Sequence, residues 1–76
     1  MIYMLYDIQV QIVDGALVQL QVSESMTIAE IQMMLCDRTG KHYTIMRGNK
    51  LCLGVNTMNL YIGMNEFPAF TAIYIQ

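Results

Sequence analysis

The sequence predicts an α+β domain in which one helix packs across a mixed sheet of four to five strands. Three observations carry that prediction. Ile8, Val10 and Ile12 alternate with Gln9 and Gln11, and Val18, Leu20 and Val22 alternate with Gln19 and Gln21, so the chain opens with two half-buried strands. One complete helix follows, with both of its ends marked in the sequence. Two further apolar runs, at 43–47 and 70–75, read as strands after the helix. At 76 residues there is room for one domain, spanning 1–76, and one small core.

The connection between the first two strands is fixed by register. Asp14-Gly15 suggests a tight two-residue turn. That turn would set Gln11 opposite Val18 and send the two apolar sets to opposite faces. A three-residue loop, Val13-Asp14-Gly15, restores the match: Ile12 faces Ala16, Val10 faces Val18 and Ile8 faces Leu20. Gly15 then takes the left-handed position of a bulged loop, and Val13 stands at the loop tip. Residues 1–7 precede the alternation. They either extend the first strand, with 1–5 as its extension, or lie across the core edge.

The helix is predicted near residues 28–38. Thr27 and Glu30 form a capping box, each side chain answering a free backbone N–H at the helix start. Ile28, Ile31 and Leu35 fall on one stripe at helical spacing, and Gly40 can take the left-handed conformation that ends a helix. Tyr43-Thr44-Ile45-Met46-Arg47 then reads as a short strand, Gly48-Asn49-Lys50 as a turn, and Leu51 with Leu53 as a short edge strand. Residues 54–64 form a long connection with scattered apolar anchors, and Phe67-Pro68 breaks any strand there. The last strand is apolar on both faces: Phe70, Ala72 and Tyr74 on one, Ile73 and Ile75 on the other. A hairpin, one helix and then more strands is the order of a β-grasp domain.

Composition adds a functional constraint. The chain is 55% hydrophobic and 13% charged, against roughly 25% charged in an average domain. So small a core cannot hide all of that apolar surface, and a contiguous exposed remainder usually marks a binding site. It also allows weak self-association. The net charge of −2 gives no reason to expect a nucleic-acid partner. All four basic residues, Arg38, Lys41, Arg47 and Lys50, fall with His42 between positions 38 and 50, as either a solvated loop or a rim that steers an acidic-edged partner. No run approaches the roughly 20 apolar residues of a membrane span, and no signal peptide is evident at the N-terminus. Cys36 and Cys52 are not spaced as a redox or zinc pair. Two free thiols in a reducing, intracellular compartment are the expectation.

No nucleophile–base–acid set, phosphate loop or dinucleotide motif is visible, so neither catalysis nor a cofactor is expected. His42 is the only histidine and lies beside Lys41. Glu30 and Asp37 read as solvated or capping groups. Met33-Met34 is either an adaptable contact surface or core filling at the helix edge.

At this point the chain resembles the ubiquitin-like family. Strand, bulged Gly loop and strand, then Thr27-Ile28-x-x-Ile31-x-x-x-Leu35-x-x-x-x-Gly40, follow that family's pattern without a gap from Tyr6. Ile45-Met-Arg-Gly48-Asn-Lys-Leu51 is similar to its strand-Gly-x-x-Leu turn, and Thr57-Met58-x-x-Tyr61 to its Thr-Leu-x-x-Tyr. The departures are a shorter loop after Gly40, a missing proline pair there, a short added segment in front, and no C-terminal Gly-Gly. The last implies a tail-less type that is not conjugated by the usual route. Asn49, Gln32 and Met34 stand where the family's chain-forming lysines would be.

The resemblance implies an apolar recognition patch of Val13, Ile45, Ile73 and Ile75 beside Gly48, with Arg47 and Lys50 as its rim. It puts Thr44 inside and Ile45 outside, whereas hydrophobicity alone puts Ile45 inside. The resemblance is followed here. It implies a non-catalytic module whose partners are ubiquitin-binding helices, the proteasome or AAA-ATPase adaptors. Three other readings stay open. One is a stand-alone tail-less protein of the splicing-associated kind, suggested by Thr39-Gly40-Lys41-His42-Tyr43. Another is a TGS-like module of an enzyme, suggested by Ile12-Val13-Asp14-Gly15. The third is an artificial sequence made for the fold.

Overall fold

The computed structural model describes residues 5–62 and 69–74, with no side-chain description at 62 and 69. The elements run in the order β1 (Leu5–Ile12), β2 (Leu17–Ser23), α1 (Ile28–Thr39), β3 (Tyr43–Arg47), β4 (Lys50–Leu51), a single helical turn α2 (Asn59–Ile62) and β5 (Ala69–Tyr74). They form a mixed five-stranded sheet ordered β2-β1-β5-β3-β4. β1 and β5 are parallel neighbours at its centre, and every other pair is antiparallel.

The hairpin takes the three-residue loop. Ile8 pairs with Leu20 and Val10 with Val18. The Ile12 N–H donates to the Ala16 carbonyl at 2.8 Å, and Gly15 sits at φ +103°. Because side chains alternate across a strand, this register sends Ile8, Val10, Ile12, Leu20 and Val22 into the core and the glutamines to the other face. β1 begins at Leu5, so the first strand extends ahead of the alternating stretch.

α1 lies across the inner face and buries Ile28, Ile31 and Leu35 completely. Its capping box is formed: the Glu30 N–H donates to Thr27 Oγ1 at 3.2 Å, and the Thr27 N–H donates to Glu30 Oε1 at 3.4 Å. Gly40 ends it at φ 77°, its N–H donating to the Cys36 carbonyl at 2.7 Å. The long connection after β4 completes the helix start. The Ile28 and Ala29 N–H groups donate to the carbonyls of Asn56 and Gly54 at 2.9 and 3.0 Å. These are donors that a helix start leaves without an intrahelical partner. The connection is pinned in turn by Met58 and Tyr61, both buried in the core. Phe67-Pro68 lies outside the described residues.

β3 corrects one expectation. Tyr43 and Ile45 face the core at 2% and 0% exposure, and Thr44 and Met46 take the outer face. The reason is the register with β5: Ile45 pairs with Ala72 and Tyr43 with Tyr74, inside a core that also holds Phe70, while Thr44 pairs with the outward Ile73. A buried threonine would need a hydrogen-bond partner there, and a buried isoleucine needs none. Hydrophobicity, not the family alignment, sets this strand.

Candidate functional site

Among the described residues α1 covers one sheet face and the opposite face is open. Its composition changes across the sheet. On β1 and β2 it presents Asp7 and the exposed Gln9, Gln11, Gln19 and Gln21, with exposed Leu5 and Leu17 at the strand starts. On β5, β3 and β4 it presents Thr71, Ile73, Thr44, Met46 and Leu51. The pairings Thr44–Ile73, Met46–Thr71 and Met46–Leu51 bring these side chains together as one area. Ile73 and Leu51 are 40% and 56% exposed.

Val13 extends the same area from the hairpin tip. It is exposed, and its N–H donates to the Ala72 carbonyl at 3.0 Å, which seats the loop beside Ile73. Asp14 locks that seat. Its Oδ1 accepts from the Ala16 N–H at 3.1 Å, and its Oδ2 accepts from the Tyr74 hydroxyl at 2.7 Å. The shared hydrogen bond holds the Asp14 carboxyl below its ordinary range and pushes the Tyr74 phenol up to about 12. Tyr74 is flanked by the Tyr43 ring at 5.2 Å, and Lys41 Nζ lies 4.8 Å above its ring centroid, a cation–π geometry.

The residues expected from sequence are therefore only partly assembled. Val13 and Ile73 lie together on the open face. Ile45 does not join them, since it is core, and Met46, one residue on, takes the outer position. Gly48 is exposed in the β3–β4 turn at φ 63°. The expected basic rim is displaced. Arg47 pairs with Lys50, and by strand alternation both follow the side of Tyr43 and Ile45, away from Met46. The Arg47 charge is felt at buried Tyr61. Ile75 lies outside the described residues. Met46 and Leu51 were missed, although the alternation Tyr43, Ile45 against Thr44, Met46 was the signal for them.

A second recess lies between α1 and β3. It has a volume of about 390 Å³ and is lined by residues that include Met33, Cys36, Asp37, His42 and Tyr43. Met33 is exposed and Met34 packs half-buried against the core. No hydrogen bond joins His42 to Cys36 or Asp37 among the described residues, and no group of three His, Cys, Asp or Glu residues there could hold a metal. Cys36 and Cys52 are both free thiols. No helix among the described residues is long and apolar enough to cross a membrane.

No protein-family model matches the chain, and no curated protein matches it in sequence. Among solved structures, it is similar to a protein described as designed de novo by Hydra on the basis of ubiquitin. The two share 15% identity and a TM-score of 0.72, over 90% of this chain and 85% of that one. At that identity the likeness speaks for the fold alone. With the mixed five-stranded sheet and the single main helix packed on it, it establishes a ubiquitin-like β-grasp fold.

Proposed function

We propose that this chain is a non-catalytic, ubiquitin-like interaction module that binds partner proteins non-covalently through the apolar half of its outer sheet face. Met46, Leu51, Ile73 and Val13 are its contact residues. The observation that carries the reading is the register that gathers Ile73, Met46 and Leu51 on the face opposite the helix, while the other half of that face is mainly glutamine, with leucines only at the strand starts. A fold that spends its scarce charged residues elsewhere leaves this area as a contiguous apolar contact surface on its sheet. Two free thiols fit a reducing, intracellular setting.

The partner should offer an apolar helix or loop. Ubiquitin-binding helices, proteasomal receptors and AAA-ATPase adaptors are the families to screen. The area is smaller than the ~800 Å² per partner of a standard interface, so binding should be weak. A chemical-shift titration with a ubiquitin-binding helix tests the reading. Shifts should concentrate on Val13, Met46, Leu51 and Ile73. Shifts confined to α1, or none at millimolar peptide, would overturn it.

One observation favours a second reading. One structural neighbour is itself a designed protein, which suits an artificial sequence made for this fold and carrying no partner. A screen of all three partner families without binding would select it.

A further inference from the structure

The two edges of the sheet are built differently. At one edge β4 has only two residues, one of them Lys50. Beside it, Gln32 of α1 reaches across to β3 and its Nε2 donates to the Tyr43 carbonyl at 2.8 Å. A short strand carrying a lysine is a usual means of blunting an edge. At the other edge β2 runs for seven residues, Leu17-Val-Gln-Leu-Gln-Val-Ser23, with no charge and no proline. Among the described residues its only neighbour in the sheet is β1.

The direction of its backbone groups follows from the hairpin. The bond from the Ile12 N–H to the Ala16 carbonyl makes Val10–Val18 and Ile8–Leu20 the pairs that exchange hydrogen bonds. Leu17, Gln19 and Gln21 therefore point their N–H and C=O groups off the sheet. One contact confirms this geometry: Arg38 Nη1 at the end of α1 donates to the Gln19 carbonyl at 3.2 Å, from outside the edge.

We propose that β2 is a self-pairing edge, and that two copies of this chain join β2 to β2 antiparallel about a twofold axis through Leu20. This assigns a surface separate from the apolar half-face. The outward groups at 17, 19 and 21 allow this register, and it sets the two glutamines opposite each other. Gln19 lies opposite Gln21 of the second copy, and Gln21 opposite its Gln19, with each pair exchanging both backbone hydrogen bonds. The four facing glutamines continue the amide row that Gln9 and Gln11 begin, and side-chain amides are self-complementary donors and acceptors. A second copy is favoured over an unlike partner because residues 15–23 carry no charge and the outward glutamine amides complement themselves, while the Arg38 cation that reaches this edge has to swing away.

Arg38 acts as the latch. It occupies the Gln19 carbonyl and must swing away before the edges close. In the paired form the two apolar half-faces point the same way from one continuous sheet, about 24 Å apart at the ~4.8 Å strand spacing. That arrangement would let one elongated partner engage both.

Sedimentation of the intact chain from micromolar to millimolar concentration tests this. A monomer–dimer equilibrium is expected. Gln19→Lys with Gln21→Lys sets like charges opposite each other and should weaken pairing roughly tenfold or more. Both side chains are exposed, so a melt should show the variant folded. Arg38→Ala should strengthen pairing several-fold by freeing the Gln19 carbonyl, while Met46→Asp should leave it unchanged. A chain that stays monomeric even as Arg38→Ala overturns the proposal. So does a dimer that ignores the two lysines and breaks with Met46→Asp, which would place self-association on the apolar half-face.

Discussion

The glutamine-lined half of the outer sheet face and its apolar half use the same pleat for opposite purposes. On β1 and β2 the inward residues Ile8, Val10, Val18 and Leu20 are each followed by an outward glutamine, and the exposed Leu5 and Leu17 stand only at the strand starts. On β3 and β5 the outward positions are Met46 and Ile73, flanked by Thr44 and Thr71, and the core positions are as apolar as elsewhere. The comparison separates stability from recognition. Apolar residues that the core requires do not identify a surface. Apolar residues placed where the core cannot reach them do.

Adjacent residues on β3 give the sharpest way to break this comparison. Ile45 is fully buried, so Ile45→Ala should cost roughly 2–5 kcal/mol, the range for large-to-small changes in a core. A chain of this length has a total stability of only about 4–11 kcal/mol, so a denaturant melt should show a large loss or outright unfolding. Met46→Ala, half-buried on the outer side, should cost about 1 kcal/mol or less. If the two variants melt alike, the inner and outer sides of β3 are not distinct.

A smaller effect tests the helix that makes the two faces unequal. Gly40 sits at φ 77° with nothing within 4 Å of the position a Cβ would take. Gly40→Ala therefore meets no neighbour, and its cost is conformational alone, about 1–2 kcal/mol. A loss well above that in a thermal melt would mean that the space beside Gly40 is filled.

The smallest effect concerns the seat of Val13. The Asp14 carboxyl is lowered by its hydrogen bond from Tyr74, and Tyr74 is raised to about 12 by the same bond. A lowered acid contributes stability above its unfolded value, and that contribution is lost as pH falls through the folded value. A raised phenol contributes below its unfolded value near 10, and loses that contribution as pH rises towards about 12. The loop should thus be seated between these limits and loosen at both extremes. Ultraviolet titration should find one tyrosine ionising near 12, and Asp14→Asn should return it towards 10. An unchanged titration in that variant would break the link between the loop and β5.

Much of this architecture was legible in the sequence where the signal is local. The hairpin register followed from matching Ile8 with Leu20 and Val10 with Val18, and both helix ends followed from Thr27, Glu30 and Gly40. The apolar stripe of Ile28, Ile31 and Leu35 identified the buried helix face. The candidate site was less legible because β3 is apolar on both sides, so its pattern alone favours neither face strongly. The family alignment then put Ile45 outside, and the packing of Ile45 against β5 and the helix overrode it. Contacts far apart in sequence were not legible at all. Nothing in Gly54 or Asn56 announces that their carbonyls will accept from the start of α1, and nothing in Gln32 or Arg38 announces a bond to a sheet edge.

The central claim is that recognition belongs to one half of the outer face. The direct test measures the affinity of a ubiquitin-binding helix for two variants, Met46→Asp in the apolar half and Gln9→Asp in the glutamine half. The account predicts about tenfold or more weakening for Met46→Asp, the loss expected of a contact near an interface centre, and no change for Gln9→Asp, with both proteins folded. Equal weakening by both variants, or a loss confined to Gln9→Asp, would contradict it.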